Sequence, residues 1–337
     1  MTIIYAIIIF CILIFVHELG HFIVAKACGV KVNEFSIGMG PAFFKRQKGE
    51  TLYALRIFPI GGFCAMEGED EDSDDERAFN NKPAWQRACV LAAGAFMNLL
   101  TAVVLLIIIA FWSGQPTTTV DKVLEDSPAY TAGIEQGDKI VSINGKDVNE
   151  WNDVIEIIGP SKDDKAEISV LRDGTEVNIT SQLVYDEEAG RNKVGISPTS
   201  EHNLGASIVT GIKNTGNMTV MMYDILKKLI TGEVSAKELS GPVGIVYAVN
   251  DSAKAGIIYV VYLSALLSLN LAVMNLLPFP ALDGGRLLFL LIRKITGRRV
   301  TDEMEGRIHF IGIMLLMLLM VYVTWNDIVR FVVPIFT

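Results

Sequence analysis

The chain has 337 residues, 51% of them hydrophobic, and carries 29 basic against 38 acidic side chains, a net charge of −9. That balance argues against a nucleic-acid partner, and a mean hydropathy of +0.40, with the apolar residues gathered into runs, excludes an ordinary soluble globule. Four runs, at about 3–25, 88–112, 256–277 and 308–325, are long enough to cross a hydrocarbon layer. The fold expected is therefore a polytopic α-helical membrane protein with four transmembrane helices and an insert between the second and third.

Within the first run stands Phe15-Val16-His17-Glu18-Leu19-Gly20-His21-Phe22, three ionisable side chains where a membrane helix normally carries none. Residues four apart on a helix lie one turn apart on one face. His17 and His21 can thus share a metal while Glu18 stands beside it, the pattern of a zinc site with a general base. Counted from Ile3 at about 1.5 Å per residue, His17 lies roughly 21 Å into a layer of about 30 Å. Three duller readings compete. Such a trio arises occasionally by chance; a signal peptide would show a basic start and a small-residue cleavage site, which this run lacks; and polar groups also hold membrane helices together. Ionisable groups at this depth are functional by default, which favours the metal.

After this run, Glu34-Phe35-Ser36-Ile37-Gly38-Met39-Gly40-Pro41 reads as a glycine-punctuated turn. Residues 51–57 (TLYALRI, with Leu55 and Ile57) read as a short strand before the breakers Pro59, Gly61 and Gly62. A membrane-associated β-hairpin over about 34–66 is expected, with a plain loop as the alternative. A protease must hold its substrate extended, and adding a strand to an exposed sheet edge does so through main-chain hydrogen bonds. The acidic stretch EGEDEDSDDE at 67–76 reads as a solvated linker. In the second run Gly94 and Asn98 share a face, the pattern of ordinary helix packing. Lys26, Lys31, Lys45, Arg46 and Lys48 follow the first run, and Arg286, Arg293, Lys294, Arg298, Arg299 and Arg307 lie between the third and fourth. These loops are expected to be cytoplasmic, which places the insert outside. The cysteines, Cys11, Cys28, Cys64 and Cys89, all lie before the insert, so no disulfide framework is expected there.

The insert opens with TVDKV at 119–123 and continues SPAYTAGIEQGDKIVSINGK at 127–146: a strand, a compact helix, a tight turn, an alternating strand and an Asn-Gly hairpin turn. A helical pattern near 151–158 and strands near 166–171 and 176–183 complete a small α+β unit. Residues 118–198 resemble a PDZ domain of the circularly permuted bacterial kind. The resemblance implies that Val194-Gly195-Ile196, centred on Gly195, binds peptide C-termini through backbone amides, unless the groove only screens the membrane site. Residues 203–250 form a separate region whose stretch 218–230 reads as an amphipathic helix, on the membrane surface or against the PDZ-like unit.

Two histidines leave a catalytic zinc one protein ligand short. His202 and His309 remain open, but a carboxylate at membrane depth is the better candidate, and Asp283 offers one in NLLPFPALDGGR at 275–286. Pro278 and Pro280 must interrupt the third span and Gly284-Gly285 permits a sharp turn, so Asp283 is presented from a break. The alternative is that Asp283 caps the following helix, 284–295.

With HELGH in the first span, SIGMG after it, a PDZ-like insert and NLLPFPALDGG in the third span, the chain resembles the site-2 proteases, in their bacterial RseP-like branch. The resemblance covers nearly the whole chain and implies an intramembrane zinc metalloprotease. By it, His17, His21 and Asp283 bind Zn2+, Glu18 is the catalytic acid/base, Asn275 with Pro278 contacts substrate, and the region 50–63, with Leu55 and Ile57, is the substrate strand. One departure is visible: GAFMN at 94–98 stands where the family often shows Gly-Pro before the asparagine. The expected partners are the lipid bilayer and single-span membrane proteins already trimmed outside, such as anti-sigma factors or remnant signal peptides. The expected location is a multi-pass position in the plasma or inner membrane, with the active site near the cytoplasmic side. The domain plan expected is 1–112 (two spans and the β element), 118–198, 203–250 and 256–337 (two spans). Two other classes stay open, an outward peptide-binding scaffold with a structural metal and a zinc-dependent transporter; neither needs Glu18.

Overall fold

The computed structural model describes residues 2–69, 73–161, 163–187, 189–235, 238–297 and 302–335. Arg298 and Arg299 of the basic loop, and residues 70–72 of the acidic stretch, lie outside these. The chain divides into two compact units, one formed by residues 110–210 and the other by the remainder.

The larger unit contains α1 (Thr2–Ala27), the strands β1 (Val32–Lys48) and β2 (Thr51–Met66), and α2 (Ala84–Ser113). Among the described residues, four helical segments are long and apolar enough to cross a membrane: Ile4–Ala27, Ala84–Ser113, Ile257–Asn275 and Glu303–Val332. Apart from His17, Glu18 and His21, the first is apolar all round between Ile4 and Ala25. Ile4, Ile8, Ile12 and Ile23 are exposed while Ala6, Ile9 and Leu13 are buried, as suits a helix with lipid on one side and protein on the other.

β1 and β2 pair antiparallel, and the pairing doubles back. Phe35 pairs with both Cys64 and Tyr53, Ser36 with both Phe63 and Ala54, and Ile37 with both Gly62 and Leu55. The glycines that read as strand terminators instead lie inside strands, because a positive φ at Gly38 (85°) and Gly61 (85°) bends a strand without ending it. Gly38 admits no side chain, since a Cβ there would meet the Phe58 carbonyl oxygen. An aromatic group holds the curled sheet on α1: the Phe22 and Phe35 rings lie 5.0 Å apart, with Tyr53 6.0 Å from Phe22. Met39, Phe43, Phe44, Ile57 and Phe58 remain exposed at the far end of the sheet.

The third and fourth spans frame a break. α7 (Ile257–Asn275) ends, seven residues without regular structure follow, and α8 (Asp283–Thr296) begins; α9 (Asp302–Asp327) returns. Pro278 and Pro280 lack the N–H groups that would continue α7. Before the break, the region 203–250, where 218–230 reads as an amphipathic helix on the membrane surface or the PDZ-like unit, holds two helices, α5 (Leu204–Thr231) and α6 (Pro242–Ala255), and both pack on spans. Met218, Met222 and Leu226 of α5 cluster with Leu99 and Ala102 of α2 and Leu269 and Val273 of α7. Val249 of α6 is buried with Ala6, Ile9 and Leu13 of α1. The α6 N-terminus is held by Asp327 of α9, whose carboxylate accepts from Gly241 N (2.9 Å) and Gly244 N (2.7 Å), the orphan donors of a helix start.

The smaller unit is an α+β fold whose sheet runs β10-β3-β4-β6-β7. Its strands are β3 (Gln115–Val123), β4 (Lys139–Ile143), β6 (Lys165–Arg172), β7 (Thr175–Gln182) and β10 (Ile196–Glu201), and a separate two-stranded ladder joins β8 (Val184–Asp186) to β9 (Arg191–Lys193). Two short helices, Pro128–Ala132 (α3) and Trp151–Ile158 (α4), accompany it, and the short strand β5 (Lys146–Asp147) follows the Asn-Gly turn. Asn144 (φ 51°) and Gly145 (φ 72°) form that turn as the dipeptide suggested. Ile140, Ile143, Ile168 and Val170 fill the core with Val154 and Ile158 of α4. Asp138 is buried and receives Arg172 Nε at 2.8 Å, Arg172 Nη2 at 2.7 Å and the Glu135 amide at 2.9 Å. Burial pushes its carboxyl up, but the guanidinium and the amide together outweigh this and hold it below the usual carboxylate range.

Candidate metal centre

α1 carries His17 and His21 one turn apart, with the two Nε2 atoms 3.2 Å from each other. Asp283 Oδ2 lies 3.3 Å from His17 Nε2 and 3.4 Å from His21 Nε2. Asp283 is therefore not the cap of α8. That position falls to Leu282, and the carboxylate turns to the histidines. The imidazoles stand nearly perpendicular, at 81°. His21 Nδ1 lies 2.8 Å from the Val90 carbonyl oxygen and must donate its proton there, so in the neutral ring Nε2 presents a lone pair. Two imidazole lone pairs and a carboxylate oxygen thus converge, an arrangement that repels itself unless a cation lies between them.

Those distances test the fit of zinc. A tetrahedral ion with bonds of about 2.0–2.1 Å holds its donors about 3.3 Å apart, and the three edges measured here are 3.2, 3.3 and 3.4 Å. Two nitrogens and one carboxylate oxygen, with no fourth protein donor in the cluster among the described residues, match a catalytic rather than a structural zinc set.

α2 supplies the wall behind the histidines. A Cβ on Gly94 would fall on His21 Nε2 and within 2.7 Å of His17 Nε2, so only glycine leaves room for the pair. One turn on, Asn98 is fully buried, with Nδ2 3.4 Å from His17 Nδ1 and Oδ1 without a hydrogen-bond partner. If His17 offers Nε2 to a metal, Nδ1 carries the proton and needs an acceptor; turning the Asn98 amide over provides one. The expectation that Gly94 and Asn98 serve only helix packing is thus corrected: they pack, but against the imidazoles. Gly and Asn at that spacing look the same in either role, and only the depth of Asn98, level with HELGH, offered a hint.

Glu18 is half-buried on the side of α1 that meets β2, where a Cβ on Gly62 would sit 3.4 Å from Glu18 Cγ. Residues 62–66 of β2 pair with β1 along one edge only among the described pairings, and this stretch runs past Glu18. Leu55 is different: it pairs with Ile37 on one side and Phe44 on the other, so its backbone cannot accept another strand. The expectation of a substrate strand at Leu55 is corrected on that ground, and Ile57 lies beyond it, exposed near the apolar tip. Asn275 ends α7 half-buried, and Pro278 stands exposed in the break that leads to Asp283. His202 and His309 are not part of the cluster. His202 Nδ1 lies 2.7 Å from the Phe111 carbonyl oxygen, and His309 Nδ1 accepts from the Ala281 amide at 2.9 Å.

In the smaller unit Gly195 (φ 87°) lies against Ser127, and residues 191–198 line a cavity of about 240 Å³ with Trp151, Ile155 and Ile158 of α4.

The family model described as Peptidase family M50 matches residues 5–319. A protein of Clostridium acetobutylicum named as a zinc metalloprotease is 41% identical over 332 residues, covering 97% of each chain. The regulator of sigma-W protease RasP of Bacillus subtilis is 32% identical over 415 residues, covering 98% of each. A solved PDZ domain from Listeria innocua is 27% identical, covering 26% of this chain and 99% of that one, with a TM-score of 0.23. The chain belongs to Peptidase family M50, the site-2 proteases, and is a multi-pass membrane metalloprotease with zinc as its cofactor.

Proposed function

We propose that the protein cleaves the transmembrane segment of single-span membrane proteins, with His17, His21 and Asp283 holding zinc and Glu18 as the catalytic acid/base. The observation that carries this reading is the donor triangle of 3.2–3.4 Å placed inside a span, with Glu18 between it and an open strand edge. When bound, zinc acts as a Lewis acid toward water and the scissile carbonyl. Glu18 takes the proton of the attacking water and hands it to the leaving amine. His21, fixed by Val90, and His17, backed by Asn98, keep their Nε2 atoms on the ion.

A transmembrane substrate arrives as a helix with every carbonyl bonded internally and must unwind before attack. The 62–66 edge of β2 is suited to receive the unwound segment as an added strand. The exposed apolar tip of the sheet, at Phe43, Phe44, Ile57 and Phe58, suits immersion in the membrane. Asn275 and Pro278, which precede Asp283 at the break, are the further substrate contacts of this reading. The basic residues after α1 and around α8 favour an orientation with the active site toward the cytoplasm and the PDZ-like unit outside. The groove of that unit is apolar at Trp151, Ile155, Val194 and Ile196 and has Arg191 beside it, which suits a peptide ending in an apolar residue and a carboxylate. Substrates already trimmed outside, such as anti-sigma factors or remnant signal peptides, fit this arrangement.

Glu18→Gln, assayed for zinc content and for cleavage of a detergent-solubilised single-span substrate, tests the mechanism. Zinc should remain and cleavage should fall by at least about 100-fold, the usual contribution of a positioned acid–base group. Unchanged cleavage refutes the role of Glu18 as the acid/base.

A further inference from the structure

Asp283 reaches the histidines from the end of the break between α7 and α8, and α9 packs against that break. Ala281, two residues earlier, has φ +81°, a region that residues with a Cβ rarely adopt. Its amide is donated to Nδ1 of His309, on α9, at 2.9 Å. The His309 side chain is only 14% exposed, and its ring lies 5.6 Å from that of Phe289 on α8. One turn further along α9, Gly312 lies so close to the break that a Cβ there would sit 2.6 Å from Pro280 Cβ. The fourth span thus grips both Pro280 and Ala281.

We infer that His309 is a positioning residue for the metal: by accepting the Ala281 amide it holds the left-handed turn that aims Asp283 at His17 and His21. The bond fixes the chemistry of His309, whose Nδ1 must be the bare nitrogen and whose proton resides on Nε2. Among the described residues, the span that supplies this acceptor supplies no donor atom to the cluster. Its role is to keep the third ligand within reach. The inference rests on Asp283 being a zinc ligand.

The test measures the rate of zinc loss to a chelator from the purified full-length protein, alongside cleavage. His309→Ala should speed zinc loss by about 10–100-fold, the cost typical of removing a group that orients a metal ligand. His309→Asn places an amide oxygen near the position of Nδ1 and should restore most of the retention, whereas His309→Gln, whose oxygen reaches the position of Nε2, should not. Ala281→Gly relaxes the left-handed φ and should lessen the defect of His309→Ala when the two are combined. Equal zinc loss from the Asn and Gln variants would mean that the ring acts by filling space against Phe289, and overturns the inference even if His309→Ala does not fold. Zinc lost by Asp283→Asn but by no His309 variant overturns the clamp alone. Zinc fully retained by Asp283→Asn overturns the ligand assignment and the clamp with it.

Discussion

Replacing Gly94 by alanine puts a methyl group where the two imidazoles now lie. The added carbon would sit 2.6 Å from His17 Cε1 and 2.7 Å from His17 Nε2, and closer still to His21 Nε2. Ordinary carbon contacts need about 3.5–4.0 Å, so relief requires the rings or α2 to move by roughly 1 Å. A zinc site accepts its donors within about 0.2 Å of ideal distances. A displacement several times larger takes at least one nitrogen off the ion, and zinc affinity should fall by at least 10–100-fold on the scale of lost ligand support. Helix propensity runs the other way, favouring alanine over glycine by about 1 kcal/mol, so α2 itself should not weaken. The expected signature is lost zinc with retained helix content. Elemental analysis of zinc per chain, circular dichroism and the rate of zinc loss to a chelator would be measured on the same preparation. Gly94→Ala protein holding one zinc per chain with an unchanged loss rate would refute the proposed placement of the metal against α2.

Other substitutions separate the parts of the site. Asn98→Ala removes the acceptor proposed for His17 Nδ1 and should weaken zinc retention by about 10-fold, with Asn98→Asp retaining more than Asn98→Ala; equal behaviour of the two would count against the hydrogen bond. Gly62→Val adds bulk between Ser36 O and Glu18 Cγ, so cleavage should fall while zinc content stays unchanged; zinc loss instead would show that the strand supports the metal rather than the substrate. Arg172→Ala strands the buried Asp138 and should cost about 3 kcal/mol or more in stability of residues 110–210, read by hydrogen exchange in the full chain. The sign with pH follows from the depressed Asp138 carboxyl. Its contribution is complete above the ordinary carboxylate pKa of about 3.9 and disappears as pH falls through the lower folded value. The gap between wild type and Arg172→Ala should therefore narrow on acidification, and a gap that widens toward acid would contradict the ion pair.

Legibility in the sequence followed chemical contrast. HELGH and Asp283 stood out because ionisable groups interrupt apolar runs, and the structure brings those three donors together. Gly94 and Asn98 did not stand out, since small residues and amides recur wherever membrane helices cross. The glycines near β2 were read as stops because turn chemistry and bulge chemistry draw on the same residue; only the doubled register of Phe35 and Ser36 tells them apart. Leu55 looked suited to a substrate strand by composition, but an edge is a property of pairing, not of residue type. α5 and α6 carry too many polar residues to read as spans, yet Met218, Met222 and Val249 bury against spans. A histidine at a membrane border, such as His309, has the pattern of a ligand. Its acceptor bond to Ala281 depends on a backbone angle that no pattern announces.

The two demands on this site pull in opposite directions, and the fold assigns them to different elements. Zinc requires donors fixed to within tenths of an ångström; in the proposed site these would come from one helix, α1, and from Asp283 beside a break held by α9. The substrate requires freedom to unwind in a medium where each unsatisfied backbone group costs several kcal/mol. Residues 62–66 of β2 offer replacement partners along an edge that no other strand occupies among the described pairings. Because Gly62 brings that edge against Glu18, a segment added to it would be extended where the proton must be handled. On this argument the substrate's own helix stability, rather than its side chains, sets the barrier to cleavage, and any unwound segment that can follow the strand is a candidate for hydrolysis.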